Sequence, residues 1–92
     1  MNQQTKKEMT NQTIIKYKVS GIVPKKYKSE IGGGDSYTIK VFKEKTKAFQ
    51  YAKVQSKNPK WWEVDIKSFN YDDELQGHWY FQNGILTMDM SL

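Results

Sequence analysis

Asn83-Gly84, set between two runs of alternating character, constrains this chain more than any other dipeptide in it. A two-residue type I′ turn needs positive φ at both positions, which Asn and Gly tolerate. Residues 78–82 and 85–90 are therefore expected to fold back on each other as an antiparallel hairpin. In the simplest register Phe81 faces Leu86 and Trp79 faces Met88, with Met90 continuing that side, while His78 and Tyr80 sit opposite Asp89 and Thr87. Every apolar side chain then falls on one face and every polar one on the other. A lone hairpin is marginal in water, so the rest of the chain must supply more strands or a helix to cover it.

Period-two patterning supplies those strands. Ile15, Tyr17 and Val19, continued by Val23, alternate with Lys16, Lys18 and Ser20, as expected of a half-buried strand starting at Thr13. Pro24 opens the polar stretch PKKYKSE, which with Gly32, Gly33 and Gly34 reads as a long surface connection. Residues 36–43 alternate again, Tyr37, Ile39 and Val41 on one side and Thr38, Lys40 and Phe42 on the other. After Lys45 the period becomes helical: Thr46 is placed to cap a helix of about three turns whose broad face carries Ala48, Phe49, Tyr51 and Ala52. Asn58 and Pro59 end it. Trp62, Val64 and Ile66 alternate with Trp61, Glu63, Asp65 and Lys67 in a third strand running on towards Phe69 and Tyr71, and a turn through Asp72, Asp73, Glu74 and Gly77 leads to the hairpin. The expected fold class is α+β: two strands, a helix and three strands, forming a single mostly antiparallel sheet with one helix packed on it. Residues 1–12 have no apolar run and are expected to be a disordered tail, leaving 13–92 as one small domain.

Composition narrows what such a domain can do. Cysteine is absent, which removes disulfides, thiolate metal sites and cysteine nucleophiles. All fifteen cationic residues are lysine. Residues 1–60 hold fourteen of them against Glu8, Glu30, Asp35 and Glu44, whereas residues 61–92 set Lys67 against Glu63, Asp65, Asp72, Asp73, Glu74 and Asp89. The formal net charge of +5 thus conceals a basic body and an acidic end that also carries all three tryptophans. Nothing approaches the ~18 apolar residues of a membrane span and no secretory leader is visible, so a cytoplasmic location without membrane association is expected.

Groups able to support catalysis are few. The single histidine, His78, would face Asp89 across the hairpin, but Thr87 and Ser91 lack the setting of an activated nucleophile, and an exposed cross-strand pair accounts for the arrangement. Asp72, Asp73 and Glu74 lack the alternating spacing of a calcium loop. Gly32-Gly33-Gly34-Asp35-Ser36 precedes a strand and not a helix, so it is no phosphate cradle. No enzyme, cofactor or metal is expected.

Two surfaces read as binding surfaces. Lys16, Lys18 and Lys40 on the outward sheet face, Lys25, Lys26 and Lys28 in the following loop, and Phe42 as a stacking ring would suit a nucleic-acid backbone or an acidic protein surface. The competing reading is a solvated lysine face paired with Glu63 and Asp65. Without arginine, any such contact would be weakly selective for base sequence. Trp61 and Trp62 point to opposite faces, so at least one is expected to be partly exposed. With Tyr71, Asp72, Asp73 and Glu74 they form the candidate protein interface. The segment FKEKTKAFQYAK resembles the strand–helix junction of small sheet-plus-helix domains, including some in phage proteins and in integrase arm-binding domains.

The combined expectation is a small non-catalytic binding protein, an accessory or inhibitory factor of phage or mobile-element type, acting on a nucleic-acid-handling protein or its nucleic-acid complex. The alternative is a weakly sequence-specific nucleic-acid-binding module using the lysine face and loop.

Overall fold

Five strands and one helix are built from these segments in the computed structural model, which describes residues 13–24 and 33–91. The expected tail and the loop with Lys25, Lys26 and Lys28 lie outside the described residues. The elements are β1 (Lys16–Pro24), β2 (Gly33–Phe42), α1 (Lys45–Gln55), β3 (Glu63–Phe69), β4 (Leu75–Gln82) and β5 (Ile85–Ser91). They form one antiparallel sheet in the order β2-β1-β3-β4-β5 with α1 packed over β1 and β3, the α+β architecture expected from the patterning.

The core lies between helix and sheet. Val19, Val64, Ile66, Trp79 and Phe81 from the strands meet Ala48 and Ala52 from α1, with Phe49 and Tyr51 closing the sides. Two small residues at i and i+4 let the helix approach closely enough for Phe49 to reach Trp79 (ring centroids 5.1 Å) and Phe81 (5.6 Å), both edge-on. The helix starts earlier than its sequence implies: Glu44 occupies the N-cap, makes no side-chain cap bond, and accepts Ala48 N–H through its carbonyl oxygen at 3.1 Å. Thr46 therefore sits inside the first turn. Burial of the Ala48–Ala52 face positions this short helix and outweighs capping.

Turn chemistry holds at Asn83-Gly84, where both residues have positive φ (51° and 81°). The tip is also clamped by the helix end: Asn83 N–H donates to the Ser56 carbonyl (3.1 Å) and Gly84 N–H to Ser56 Oγ (2.8 Å).

Register in the hairpin departs from the simple expectation. Phe81 does face Leu86, but a shift between Tyr80 and Phe81 leaves Thr87 as an extra residue, so Tyr80 faces Met88, Trp79 faces Asp89 and His78 faces Met90. One bulge residue transfers Met88 and Met90 to the sheet face remote from the helix. A second irregularity affects β2: Val19 pairs with Lys40 and Ser20 with Thr38, leaving Ile39 extra. Lys40 and Phe42 thereby come to the helix side, and Val41, opposite Lys18, to the other. The third strand begins at Glu63, after the tryptophan pair, although Trp62 N–H still donates to the Ile22 carbonyl at 2.7 Å.

Candidate interaction surface

With α1 on one face of the sheet, no helix or strand of the described residues covers the other. Cross-strand neighbours share a face, so the pairings define its rows. Val41, Lys18, Lys67, His78 and Met90 form one; Thr38, Ser20, Asp65, Tyr80 and Met88 form the next; Ser36, Ile22 and Glu63 continue it towards Gln82 and Ile85. Two lysines stand directly opposite each other, and neither makes an ion pair within the described residues.

At the centre is a buried polar cluster. Asp65 has only 4% of its side chain exposed and lies beside His78, whose Nε2–H donates to Asp65 Oδ2 at 2.7 Å. The other ring nitrogen, Nδ1, lies 3.2 Å from the Tyr80 hydroxyl, which donates to it when the imidazole is neutral. The two rings lie 4.3 Å apart. Asp65 Oδ1 has no hydrogen-bond partner, so half of this carboxylate is desolvated without compensation. Burial raises the Tyr80 phenol above its ordinary range, and the charges of Asp65 and Glu63 push it further the same way. The Asp65–His78–Tyr80 arrangement links β3 and β4 across the uncovered face.

Beside this cluster runs a shallow groove of about 440 Å³ lined by Trp62, Glu63, Tyr80, Gln82, Thr87 and Met88. Gln82 Nε2–H reaches the Trp62 carbonyl at 3.5 Å, and Thr87 Oγ1–H donates to the Tyr80 carbonyl at 3.2 Å. Glu63 is half-buried and has no ion-pair partner in the described residues. Its carboxyl is raised above the ordinary range, chiefly by burial and then by the Asp65 charge two residues along the strand. Apolar surface continues from the groove along β5, where Ile85 (65% exposed), Met88 (52%) and Met90 (45%) stand open.

The residues expected to bind do not assemble as the sequence implied. Lys16 pairs with Asp73 (3.0 Å) and covers the Phe69 ring. Lys18 is on the uncovered face, but Lys40 is on the opposite one, its ammonium over Phe42 and Tyr51, and Phe42 packs on Tyr51 (5.2 Å) at the core margin. A single stripe of Lys16, Lys18, Lys40 and Phe42 therefore does not form, because the β2 bulge reverses the later part of that strand. Nor does Asp65 pair with lysine; it belongs to His78. The cross-strand pairing of His78 with Asp89 is likewise replaced, as the β5 bulge sets Met90 opposite the imidazole.

The aromatic–acidic set also divides. Trp61 lies flat against Gly21, where even a Cβ would run into the indole, and it joins the core margin with Lys60 above its ring. Trp62, 40% exposed, faces the groove. Tyr71, Asp72, Asp73 and Glu74 are exposed at the far end of β3, about 20 Å away over a seven-residue strand. That turn is organised by buried Asn70, whose Oδ1 accepts from Asp72 N–H (3.0 Å) and Glu74 N–H (2.9 Å) and whose Nδ2–H donates to Glu74 Oε1 (3.0 Å).

Sequence reasoning did not select Glu63, Asp65, Tyr80, Gln82 or Met88. The alternation that put Glu63 and Asp65 opposite the core was visible, but their partners on β4 depend on a register that two separate segments set together.

No group of three or more metal-ligating side chains and no helix long and apolar enough to cross a membrane occurs among the described residues. Comparison with protein-family models, curated proteins and solved structures gave no match for this chain.

Proposed function

We propose that this is a small non-catalytic binding protein that associates stoichiometrically with a nucleic-acid-handling protein, as an accessory or inhibitory factor. The observation that carries this reading is the uncovered sheet face, where Trp62, Tyr80 and Met88 line a groove with the unpaired Glu63 and Met90 stands exposed further along β5. An exposed aromatic–methionine patch with carboxylates at its margin has the ingredients of a protein interface. The unpaired Glu63 within it complements a cationic group of a partner, and proteins contacting nucleic acid present many such groups.

Direct nucleic-acid binding is the second reading, and one observation favours it. Between residues 40 and 60 the chain carries seven lysines against the single acid Glu44, which is itself paired with Lys47 at 3.4 Å. Any phosphate contact is therefore moved from the sheet face to the helix side.

The test is capture of a partner by the tagged full chain from nuclease-treated host lysate, followed by light scattering of the purified pair. A complex of fixed stoichiometry that is lost with Met88→Asp supports the proposal. Capture that disappears with nuclease, or that Met88→Asp leaves intact, overturns it.

A further inference from the structure

The groove on the uncovered face has a particular chemistry. The half-buried Glu63 carboxylate lines it without an ion-pair partner among the described residues, and Asp65, whose Oδ1 is enclosed and also without a partner, is not part of the lining but adds its charge nearby. Around Glu63, β1 offers Ile22 and Ser20, β4 offers Tyr80 and Gln82, and β5 offers Thr87 and Met88. The only other charge among these neighbours is Asp65, on the same strand. Lys18, Lys67 and His78 form the row beyond Asp65, so no cation of the described residues occupies the groove. The indole of Trp62, the phenol of Tyr80 and the thioether of Met88 supply polarizable walls.

Negative charge below and ring faces beside it are what a desolvated cation requires. We infer that the Trp62–Glu63–Tyr80–Met88 groove receives a cationic side chain of a protein partner, an arginine guanidinium in the first place. A planar guanidinium can lie on an indole or phenol face while forking to a carboxylate, which a lysine ammonium cannot do. A second copy of this sequence does not supply that arginine, because it contains none. The inference rests on the protein-binding reading and supplies its recognition chemistry. Binding would also relieve the repulsion between Glu63 and Asp65 and draw the raised Glu63 carboxyl back down.

The experiment is an NMR titration of the full chain with N-acetyl-arginine methylamide, with the lysine and norleucine analogues as controls. The expected result is saturable movement of the Trp62 indole N–H and of the Glu63 carboxyl carbon. Arginine should bind more tightly than lysine, norleucine should have no effect, and Glu63→Gln should weaken arginine at least tenfold. Glu63→Gln keeps the size and a hydrogen-bonding amide, and backbone amide shifts confirm that the variant is folded. Arginine shifts confined to Asp72, Asp73 and Glu74, or unchanged affinity in Glu63→Gln, overturn the inference. If those results accompany partner capture that still depends on Met88, the groove assignment fails and the protein-binding reading stands. Saturable arginine binding at Trp62 without partner capture supports the groove and removes the wider reading.

Discussion

Asp65 and His78 show how much a single contact on an open sheet face can carry. Breaking a buried, hydrogen-bonded pair costs more than the pair itself contributes, because the remaining group stays desolvated. His78→Ala is therefore expected to lower unfolding free energy by about 3 kcal/mol, measured by urea denaturation at neutral pH. Asp65→Asn, which keeps an acceptor for Nε2–H, should cost clearly less; equal losses would show that the imidazole contributes only by packing. Glu63 is predicted to act in the opposite sense. Its folded pKa lies above the ordinary 4.5, so the associated stability is fully present below that value and is lost as pH rises through the folded pKa. Glu63→Gln should thus be the more stable protein at neutral pH, by well under about 1 kcal/mol because solvent screens a partly exposed carboxylate. The difference should vanish in acid. A variant less stable than its parent at pH 7 would contradict this.

Among the elements, the β4–β5 turn is tied to the end of α1 through one residue, in addition to the packing of Phe49 on Trp79 and Phe81. Ser56 is buried after the helix; its Oγ–H donates to the Lys53 carbonyl at 2.8 Å while its Oγ and carbonyl oxygen receive the two turn amides. Ser56→Ala leaves Gly84 N–H without its acceptor and is expected to cost about 1–2 kcal/mol. Hydrogen exchange at the Gly84 amide should accelerate with it; unchanged protection would mean that the type I′ turn holds without the helix. Elements as such were readable from the sequence: the alternation of β1, the small-residue helical face and Asn83-Gly84 each carry a local signal. Bulges carry none. Ile39 and Thr87 are ordinary strand residues, and each becomes an extra residue only because its partner strand is tied elsewhere. A further shift between Ser68 and Phe69 leaves Gln76 extra on β4, so the inner β3–β4 pair accommodates one as well.

For the whole molecule, the charge split of the sequence is only partly kept in space. The stretch from Lys40 to Lys60 is lysine-rich and the β3–β4 turn is acidic, whereas the uncovered face mixes Lys18 and Lys67 with Glu63 and Asp65. Lysines near the core reach ring faces: Lys45 stands over Phe49 and Trp79 at 5.4 and 5.2 Å, and Lys40 and Lys60 behave alike. Their stems cover apolar surface while their charge stays outward. A mixed-sequence oligonucleotide is therefore expected to bind weakly, its affinity falling at least tenfold between about 50 and 200 mM salt. Affinity that ignores salt would point to contacts other than lysine to phosphate. By itself, the sequence determined the local events, namely strand, helix and turn, and through them the α+β class, because period and turn chemistry act over a few residues. Tertiary structure alone decided which strands adjoin, where the two edges bulge, and hence that Met88 joins Glu63 and Trp62 while Lys40 parts from Lys18. A one-residue register shift reverses every later side chain on a strand, and register is settled by contacts between segments far apart in the chain.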